Sequence, residues 1–426
     1  MITIIRQYLI LYIFDNNDKI IIGDDMKAIV LSGGGARGAY EIGVWKALRK
    51  LHIKYDIVTG TSIGALNGAL MTQNTYFKAR KIWNSVDYST IIDKKIETPV
   101  IKTYVKGFIN DGGIDTKKLE KIIIQNINEL RVRKSKINYG LVTYNMSKLK
   151  AKELSIKEIE NGKLCEYLVA SLSCFPALKP KNLDNNIYVD GGVYDNMPIN
   201  LAIKMGATQI LAIDLEAIGV KRKPINKSIP ISYISPNNEI VPFLEFDNKK
   251  IRDSIKFGFN DTMKFYNKLD GKIFTFKKND LQKNYKRYYE QLKISLNKYF
   301  DDNSLIDKIS KIIVYKKIIN INDSYTFMNE IIENLGKILN LDETKIYNIK
   351  HYNRLLNDTI ENLDDFDFNL IEEKIKSNKI KTLLNTKWIV KYIYEKLKKE
   401  KDIKNIFNIA ILFSKEFLEA LYLNLL

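Results

Sequence analysis

A serine between two glycines, in the stretch Gly60-Thr61-Ser62-Ile63-Gly64, has the residue types and the spacing of a nucleophile. The apolar run before it predicts a strand, and the alanine- and leucine-containing run after it predicts a helix. Glycines on both sides permit a sharp strand-to-helix turn and keep side chains away from the Ser62 hydroxyl. A helix N-terminus would also favour negative charge developing there. A capped tight turn would use the same residues, so this stretch alone leaves both interpretations open.

A second glycine-rich loop, Gly33-Gly34-Gly35-Ala36-Arg37-Gly38, lies one strand–helix–strand unit earlier. Its spacing matches the dinucleotide-binding fingerprint, but that site needs an acidic residue at the end of the second strand, which the chain lacks. A phosphate-binding P-loop would need Gly-Lys-Ser/Thr, which is also missing. We therefore expect backbone donors for an oxyanion beside Ser62, above all from Gly34 and Gly35. Arg37 would hold this loop or meet an anionic substrate group.

A serine nucleophile needs a proton acceptor, and the chain has two histidines. His52 falls between the first helix and the second strand, at the sheet edge opposite to the glycine loops, which indicates a surface or packing residue. His351 lies in the C-terminal helical region. A triad of Ser62, an aspartate and His351 is formally compatible with the chain order of one hydrolase fold.

A carboxylate is the alternative base. The stretch Asp190-Gly191-Gly192 ends a predicted strand, and we expect it in the same structural position as both glycine loops. A low-polarity site would raise the pKa of Asp190 toward a useful value, so that it could accept the Ser62 proton and return it to the leaving group. Taken alone, Asp-Gly-Gly is more typical of a simple turn.

Strands and helices alternate through most of the first 276 residues. Predicted strands cover 27–31, 55–59, 139–144, 186–189 and 209–215, and predicted helices cover 39–50, 63–71, 77–84, 117–130 and 164–172. This alternation predicts an α/β fold with a largely parallel sheet and helices on both faces. Such sheets bind ligands at the carboxyl ends of their strands, where both glycine loops fall.

Together, these stretches resemble the patatin-like phospholipase family. The family is marked by a Gly-Gly-Gly-x-Arg/Lys-Gly loop, a Gly-x-Ser-x-Gly elbow and an Asp-Gly-Gly/Ala stretch, which stand in the same order here. Further matches are Ala170, Ser171, Pro176, Pro180, Asn196 and Pro198. The resemblance covers about residues 27–215 and implies a three-layer α/β/α sandwich. It also implies an acyl hydrolase of phospholipids or related lipid esters that needs no calcium and no cofactor.

The resemblance carries roles over to individual residues. Ser62 matches the nucleophile and Asp190 the general base of a Ser–Asp dyad. The oxyanion hole corresponds to Gly33, Gly34, Gly35, Arg37 and Gly38, and the elbow and base-loop glycines are Gly60, Gly64, Gly191 and Gly192.

The composition of the chain limits the kinds of molecule that it is expected to bind. Lysine and arginine number 68 against 50 for aspartate and glutamate, a formal net charge of +18. Most lysines are dispersed, with the exception of Lys396, Lys398, Lys399, Lys401 and Lys404, so we expect solvated basic faces and no nucleic-acid partner. Two cysteines and two histidines argue against a disulfide scaffold and against a metal site. We expect a cytoplasmic protein whose charge is compatible with peripheral contact at a membrane surface, and we predict no particular oligomeric state.

The expected domain organisation has four parts. Residues 1–25 form an N-terminal extension whose apolar run is too short to span a bilayer. Residues 26–215 form the patatin-like catalytic domain, which 216–276 continue. Residues 277–426, almost free of glycine and proline, form an all-α region without an assigned role. Its last segment, 406–426, reads as a core-packed helix, with an interfacial helix beside the basic run as the alternative.

The leading functional hypothesis is a lipid acyl hydrolase of the phospholipase A or lysophospholipase type that works through an acyl-enzyme. One alternative is a triad esterase of small soluble substrates that uses His351. The other is a non-catalytic lipid- or nucleotide-binding protein that keeps the glycine loops only as anion cradles.

Overall fold

The structure is a computed structural model that describes residues 26–91, 101–299, 324–363, 368, 385–399, 410 and 412–426. The predicted N-terminal extension at 1–25 lies outside the described residues, as do Lys401 and Lys404 of the basic run. The chain divides into two compact units, Met1–Tyr266 and Asn267–Leu426.

Eight strands form one sheet in the described part of the first unit. They are β1 Lys27–Leu31, β2 Ile57–Thr61, β3 Asn138–Asn145, β4 Lys150–Ser155, β5 Lys181–Leu183, β6 Asn186–Asp190, β7 Gln209–Ile213 and β8 Ile231–Ile234. The order is β5-β6-β3-β2-β1-β7-β8, with β4 also paired to β3. The ladder from β3 to β8 is parallel, which confirms the predicted sheet, whereas β4, β5 and β6 pair antiparallel. Strands β4, β5 and β8 were not predicted, because they are short or polar.

The helices of this unit lie between the strands. They are α1 Ala39–Lys50, α2 Ile63–Thr72, α3 Tyr76–Ser85, α4 Tyr88–Ile91, α5 Ile101–Asp111, α6 Lys117–Asn126, α7 Glu129–Arg133, α8 Leu164–Leu172, α9 Ile199–Lys204 and α10 Asn248–Phe265. The single helix predicted over 117–130 is two helices. Ile127 and Asn128 are extended, and the Asn128 side chain accepts a hydrogen bond from the Arg131 N–H and so starts α7 afresh.

Alternate residues of the central strands enter two different cores, as expected for a sheet covered on both faces. Ile29 and Leu31 join the larger core with Trp45 of α1. Ala28 and Val30 join the other core, which α9 covers. The predicted three-layer α/β/α sandwich is therefore confirmed.

Helix α10 packs closely against α1. A Cβ at Gly43 would stand 2.0 Å from the Ile255 carbonyl oxygen, and one at Gly258 would stand 2.0 Å from the Tyr40 carbonyl oxygen. Residues well beyond 215 therefore belong to the same compact unit as the sheet.

The second unit is mainly helical, as predicted. Its helices are α11 Asp280–Tyr299, α12 Ser324–Ile338, α13 Ile349–Glu361, α14 Thr386–Lys399 and α15 Ser414–Leu423. The described part also holds a three-stranded sheet of β9 Leu269–Asp270, β10 Thr275–Lys277 and β11 Ile346–Tyr347, of which β11 was not expected in this region. Phe274, Tyr352 and Phe417 belong to its core, so α15 is core-packed. Lys398 and Lys399 of the basic run pair with Glu361 and Glu395.

Candidate active site

Ser62 occupies the turn between β2 and α2 with φ 56° and ψ −126°. A positive φ is costly for a residue with a side chain, so the surrounding structure must hold this turn. Gly60 and Gly64 make the turn sterically feasible. A Cβ at Gly60 would stand 2.3 Å from the Gly64 carbonyl, and one at Gly64 would stand 2.4 Å from the Leu31 carbonyl oxygen. The Ser62 side chain makes no capping hydrogen bond, so the geometry is that of a nucleophile elbow and not of a capped turn.

Three buried hydrogen bonds hold the elbow. The Ser62 N–H donates to Ser171 Oγ at 2.9 Å, and the Ser171 hydroxyl donates to the Val142 carbonyl at 2.7 Å. The Thr61 hydroxyl donates to the Asp195 carbonyl at 2.8 Å. The sequence offered Ser171 only as a family match, whereas the structure makes it the partner of the strained residue.

Asp190 does not occupy the position that we expected for it. We predicted a strand end equivalent to those of β1 and β2, which is wrong because β6 runs antiparallel to β3. On β3, Val142 pairs with Thr61 of β2, and the next residue, Thr143, pairs with Asp190 of β6. Because β4 pairs along the other side of β3, β2 and β6 share one side. Their carboxyl ends therefore meet head to head, and this brings Asp190 to Ser62.

The electrostatics of Asp190 suit a base. Ser62 is 4% exposed and Asp190 is 6% exposed. The carboxylate accepts a hydrogen bond from the Gly192 N–H at 2.7 Å, and the Ser62 hydroxyl lies close enough to stabilise its charge. Burial raises the pKa of Asp190 to about 6, and the Ser62 hydroxyl and the Gly192 N–H limit the rise. Asp190 is therefore mostly ionised at neutral pH, yet more basic than an ordinary aspartate.

Gly191 sets the close approach of the two strand ends. A Cβ at this position would stand 2.3 Å from the Val142 carbonyl oxygen and 3.1 Å from Thr61 Cγ2. Any larger residue would push the Asp190 segment away from the elbow.

The glycine-rich loop lies beside the elbow. A Cβ at Gly33 would stand 3.2 Å from Ser62 Cβ and 2.2 Å from Asn196 Oδ1. The Gly33 N–H donates to the Asn196 carbonyl at 2.9 Å, and Asn196 Nδ2 donates to the Gly33 carbonyl at 3.2 Å. The Gly33 N–H is therefore engaged in holding the loop.

Gly34 and Gly35 follow in the glycine-rich loop, and their N–H groups were the predicted oxyanion donors. Gly35 has φ 54°, and a Cβ there would stand 2.3 Å from the Phe243 carbonyl oxygen. A Cβ at Gly34 would stand 2.6 Å from Leu215 Cδ1. Within the described part of the chain, neither N–H has a protein acceptor. Both are thus available to an oxyanion.

Arg37 and Gly38 shape the end of the loop. Arg37 Nη1 donates to the carbonyls of Leu215 and Glu216 at 2.8 and 2.9 Å. Of the two roles considered for Arg37, these contacts show the loop-holding one. Gly38 packs on the elbow helix, since a Cβ there would stand 2.5 Å from Ile63 Cγ1.

Asn196 connects the two halves of the site. Besides its bonds to Gly33, its N–H donates to the Val220 carbonyl at 2.6 Å, and the Val220 N–H donates to the Gly192 carbonyl at 2.9 Å. The glycine-rich loop and the Asp190 segment are thereby fixed to each other. The sequence offered Asn196 only as a family match that follows the Asp-Gly-Gly stretch.

The family comparison covers the glycine-rich loop, the Ser62 turn and the Asp190 segment. The family described as patatin-like phospholipase matches residues 29–203, which include Ser62, Asp190 and Asn196.

Residues 29–203 are a patatin-like phospholipase domain.

Several curated proteins resemble this patatin-like domain. Patatin-like phospholipase domain-containing protein 7 of Rattus norvegicus is 28% identical over 208 residues, which are 47% of this chain and 14% of that protein. Lysophospholipase NTE1 of Mycosarcoma maydis is 28% identical over 196 residues, 45% of this chain and 10% of its own. Neuropathy target esterase sws of Drosophila melanogaster is 30% identical over 192 residues, 44% of this chain and 13% of its own. The chain thus matches a small part of each relative.

Two solved structures show a distant likeness. VipD from Legionella pneumophila has a TM-score of 0.38 at 14% identity, covering 94% of this chain and 91% of its own. The type III effector protein ExoU has a TM-score of 0.30 at 11% identity, covering 93% of this chain and 77% of its own. At these scores the two structures carry no information about the site.

An apolar surface borders the patatin-like site. Cys174 follows Ser173, whose carbonyl accepts a hydrogen bond from the Asp190 N–H at 2.9 Å, so this segment lies beside Asp190. The next residue, Phe175, packs edge-on against Phe108 of α5 with ring centroids 5.6 Å apart. Both rings are partly exposed, and Ile109 beside them is 72% exposed.

Helix α5 extends from this side of the site to the other. The Tyr104 hydroxyl donates to the Leu244 carbonyl at 3.4 Å, and the carbonyl of the preceding Phe243 accepts from the Ala36 N–H of the glycine loop at 2.9 Å. The exposed apolar side chains of α5 therefore lie on a helix that reaches both the Asp190 side and the glycine-loop side of the site.

The two histidines lie in separate units. His52 is exposed, has φ 57° and follows α1, at the amino end of β2. His351 lies in the second unit, is exposed, and its Nδ1 contacts Arg354 Nη2 at 3.1 Å. Among the residues that the structure describes, no helix is long and apolar enough to span a bilayer.

Proposed function

We propose that this chain is a lipid acyl hydrolase of the phospholipase A or lysophospholipase type, with Ser62 as nucleophile and Asp190 as general base. The observation that carries the proposal is the approach of the buried Asp190 carboxylate to the Ser62 hydroxyl, which lies at a strained strand-to-helix turn. A base poised near neutral pH and a hydroxyl fixed beside it are the two parts that nucleophilic ester cleavage requires.

Acylation begins when Asp190 takes the Ser62 proton and Oγ attacks the ester carbonyl carbon. The carbonyl oxygen becomes an oxyanion, for which the N–H groups of Gly34 and Gly35 are the donors. The N-terminus of α2, which starts at Ile63, adds a favourable field. The tetrahedral intermediate then expels the alcohol, which takes the proton from Asp190, and the acyl group stays on Ser62.

Deacylation repeats these roles with water as the nucleophile. Asp190 takes a proton from water, the hydroxide attacks the acyl carbon, and the second oxyanion uses the same donors. Collapse of that intermediate returns the proton to Ser62 Oγ and releases the fatty acid. Asp190 thus serves as base and acid in turn without a histidine.

The surroundings of the site favour a lipid ester over a small soluble one. The exposed apolar side chains Phe108, Ile109 and Phe175 lie on the Asp190 side of the site, where acyl chains or a lipid surface would shield them from water. Relatives named as a lysophospholipase and as an esterase are consistent with an ester substrate. We also propose that peripheral contact with a membrane surface occurs on this side.

The direct test is hydrolysis of a fluorescent phospholipid by the full chain and by Ser62→Ala and Asp190→Asn. Each variant should lose activity by roughly a thousandfold or more, because the dyad acts as a unit. Matched controls are Ser89→Ala and Asp184→Asn, which change an exposed serine and an exposed aspartate of the same unit. Unchanged melting temperatures in the dyad variants would show that folding is not the cause.

Two further measurements separate the alternatives. His351→Ala should keep activity, and a strong loss there would assign the mechanism to a triad. A fluorophosphonate probe should label the parent chain and spare Ser62→Ala. Absence of labelling in the parent chain would favour a non-catalytic binding protein.

The substrate class has its own test. Phe108→Ser and Ile109→Ser should reduce hydrolysis of vesicle phospholipid by about tenfold, through lost apolar contact, and leave hydrolysis of a short-chain soluble ester nearly unchanged. Equal losses on both substrates would contradict a role in lipid contact.

A further inference from the structure

A cavity of about 680 Å³ lies wholly within the second unit, and the proposed function makes no use of it. The first turns of α11 and α13 form two of its walls. Each helix contributes two cations one turn apart, Lys283 and Arg287 on α11 and Lys350 and Arg354 on α13. Like charges at this spacing destabilise a helix. Two such pairs converge on one concave site.

These cations have few internal partners. Lys283 Nζ lies 3.7 Å from Asp280 Oδ1. Arg354 Nη2 contacts His351 Nδ1 at 3.1 Å. Among the described residues, no carboxylate lies within ion-pair distance of Arg287, Lys350 or Arg354.

Asp280 is the one carboxylate side chain that lines the cavity. Its Oδ2 accepts a hydrogen bond from the Ile349 N–H at 3.1 Å and so caps α13. The Asn348 side chain accepts from the Lys350 N–H at 3.0 Å. Because these caps use the N-terminal N–H groups, the guanidinium and ammonium groups are the donors that a ligand would meet.

The floor of the cavity is rigid and polar. Asn284 Nδ2 donates to the Tyr422 hydroxyl at 2.9 Å, and that hydroxyl donates to Asn353 Oδ1 at 3.1 Å. Asn353 Nδ2 closes the triangle by donating to Asn284 Oδ1 at 2.8 Å. This network holds α11, α13 and α15 together beneath the four cations, so the cations are mounted on a fixed base.

We propose that this cavity binds a compact, multiply phosphorylated anion, either a soluble phosphorylated polyol or the phosphorylated head group of a lipid. Guanidinium forks match phosphate oxygens in pairs, and two arginines and two lysines face one concave volume in which Asp280 is the one carboxylate side chain. The volume is sufficient for a phosphorylated sugar-sized group. The site is independent of ester hydrolysis.

The test uses the full chain carrying Ser62→Ala, so that hydrolysis cannot alter the ligands and failure of the proposed activity does not affect the outcome. Inositol hexakisphosphate is titrated by calorimetry at about physiological ionic strength, where weak surface electrostatics are screened. A second arm measures co-sedimentation with phosphatidylcholine vesicles, with and without a phosphatidylinositol phosphate. Binding of the soluble probe alone identifies a free ligand, and vesicle binding that requires the phosphorylated lipid identifies a head group.

Two charge-matched double variants test whether the anion binds in this cavity. Arg287→Glu with Arg354→Glu should weaken binding by about a hundredfold or more, since two charge-assisted contacts are removed. Lys286→Glu with Lys293→Glu changes the net charge equally on exposed positions of α11 that do not line the cavity, and should weaken binding less than about threefold. Equal losses in both doubles, or no binding of either probe by the parent chain, would overturn the proposal. If circular dichroism shows that the glutamate double is unfolded, Arg287→Gln with Arg354→Gln replaces it, with a loss of about tenfold expected.

Discussion

The two compact units handle buried polar groups in different ways. In the first unit, Ser62, Asp190 and Asn196 are buried where loops at strand ends meet, and glycines make the close approaches possible. In the second unit, buried polar side chains such as Asn284 and Asn353 pair between helices. Backbone geometry therefore arranges the candidate chemistry of the sheet unit, whereas side-chain spacing along helices arranges that of the helical unit.

The contrast extends to buried carboxylates. Asp190 accepts a hydrogen bond from the Gly192 N–H, the Ser62 hydroxyl lies beside it, and burial raises its pKa to about 6. Glu419 of α15 is 0% exposed, and within the described residues neither of its carboxylate oxygens has a hydrogen-bond partner. Burial raises the pKa of Glu419 to about 8. An ionisable group of the sheet unit is thus held ready for use, and one of the helical unit is held neutral.

Replacing one glycine in each unit by alanine should give the largest difference between the two units. A Cβ at Gly64 would stand 2.4 Å from the Leu31 carbonyl oxygen, and one at Gly336 would stand 1.8 Å from the Tyr352 hydroxyl oxygen. Gly64→Ala should lower hydrolysis by about a hundredfold or more, because the elbow must shift by a fraction of an ångström. It should also destabilise the protein by about 3 kcal/mol.

Gly336→Ala is the matched change in the helical unit. It should destabilise by a similar amount, about 2–3 kcal/mol, and leave kcat/KM on a soluble ester unchanged below the transition. Thermal unfolding and steady-state kinetics measure both effects. Loss of activity in a folded Gly336→Ala variant would contradict the expectation that this glycine affects stability alone.

The second prediction concerns pH. Asp190 must be ionised to act as base, so kcat/KM on a soluble ester should fall by about tenfold per pH unit below an apparent pKa near 6. A histidine base would give a similar profile. His52→Ala and His351→Ala are therefore measured in parallel, and movement of the midpoint in either variant would count against Asp190.

A third prediction addresses Glu419. Its folded pKa of about 8 lies above the ordinary value of a glutamate, so the folded state keeps a proton that the unfolded chain releases. Stability should therefore fall as pH rises from about 4 to 8. Glu419→Gln removes this slope and should stabilise the protein by about 2 kcal/mol at pH 8, with little effect near pH 4. Denaturant unfolding at both pH values measures this change in the free energy of unfolding. An equal change at both pH values would exclude titration of Glu419 as the cause.

The smallest expected effect is a gain in stability from Asp190→Asn. The raised pKa of Asp190 means that its charge is unfavourable in the folded state, so stability falls as pH rises from about 4 to 6. An asparagine side chain carries no charge, so Asp190→Asn should be about 1 kcal/mol more stable than the parent chain at pH 8 while inactive. Asp184→Asn, an exposed control, should show no gain. A destabilised Asp190→Asn would mean that the ionised carboxylate contributes to folding.

Local sequence patterns predicted secondary structure correctly where the segment itself has a clear apolar period. Lys27–Leu31, Ala39–Lys50 and Leu164–Leu172 have the predicted type and bounds, because each has a clear apolar period and a nearby glycine or proline. The helix over 117–130 failed at Asn128, whose side chain caps a new helix. Strands such as β4 depend on pairing with β3, which a local pattern does not reveal.

The sequence by itself determined the parts of the site: a serine in a glycine elbow, a glycine loop of N–H donors and an aspartate before two glycines. Their identities and local turns follow from short-range sterics, which adjacent residues control. The tertiary structure alone decided how they meet. Asp190 reaches Ser62 because β6 enters antiparallel and ends against β2, and Asn196 joins Gly33 across the sheet edge. Strand direction and contacts between distant residues depend on packing of the whole unit, and no short stretch of sequence contains that information.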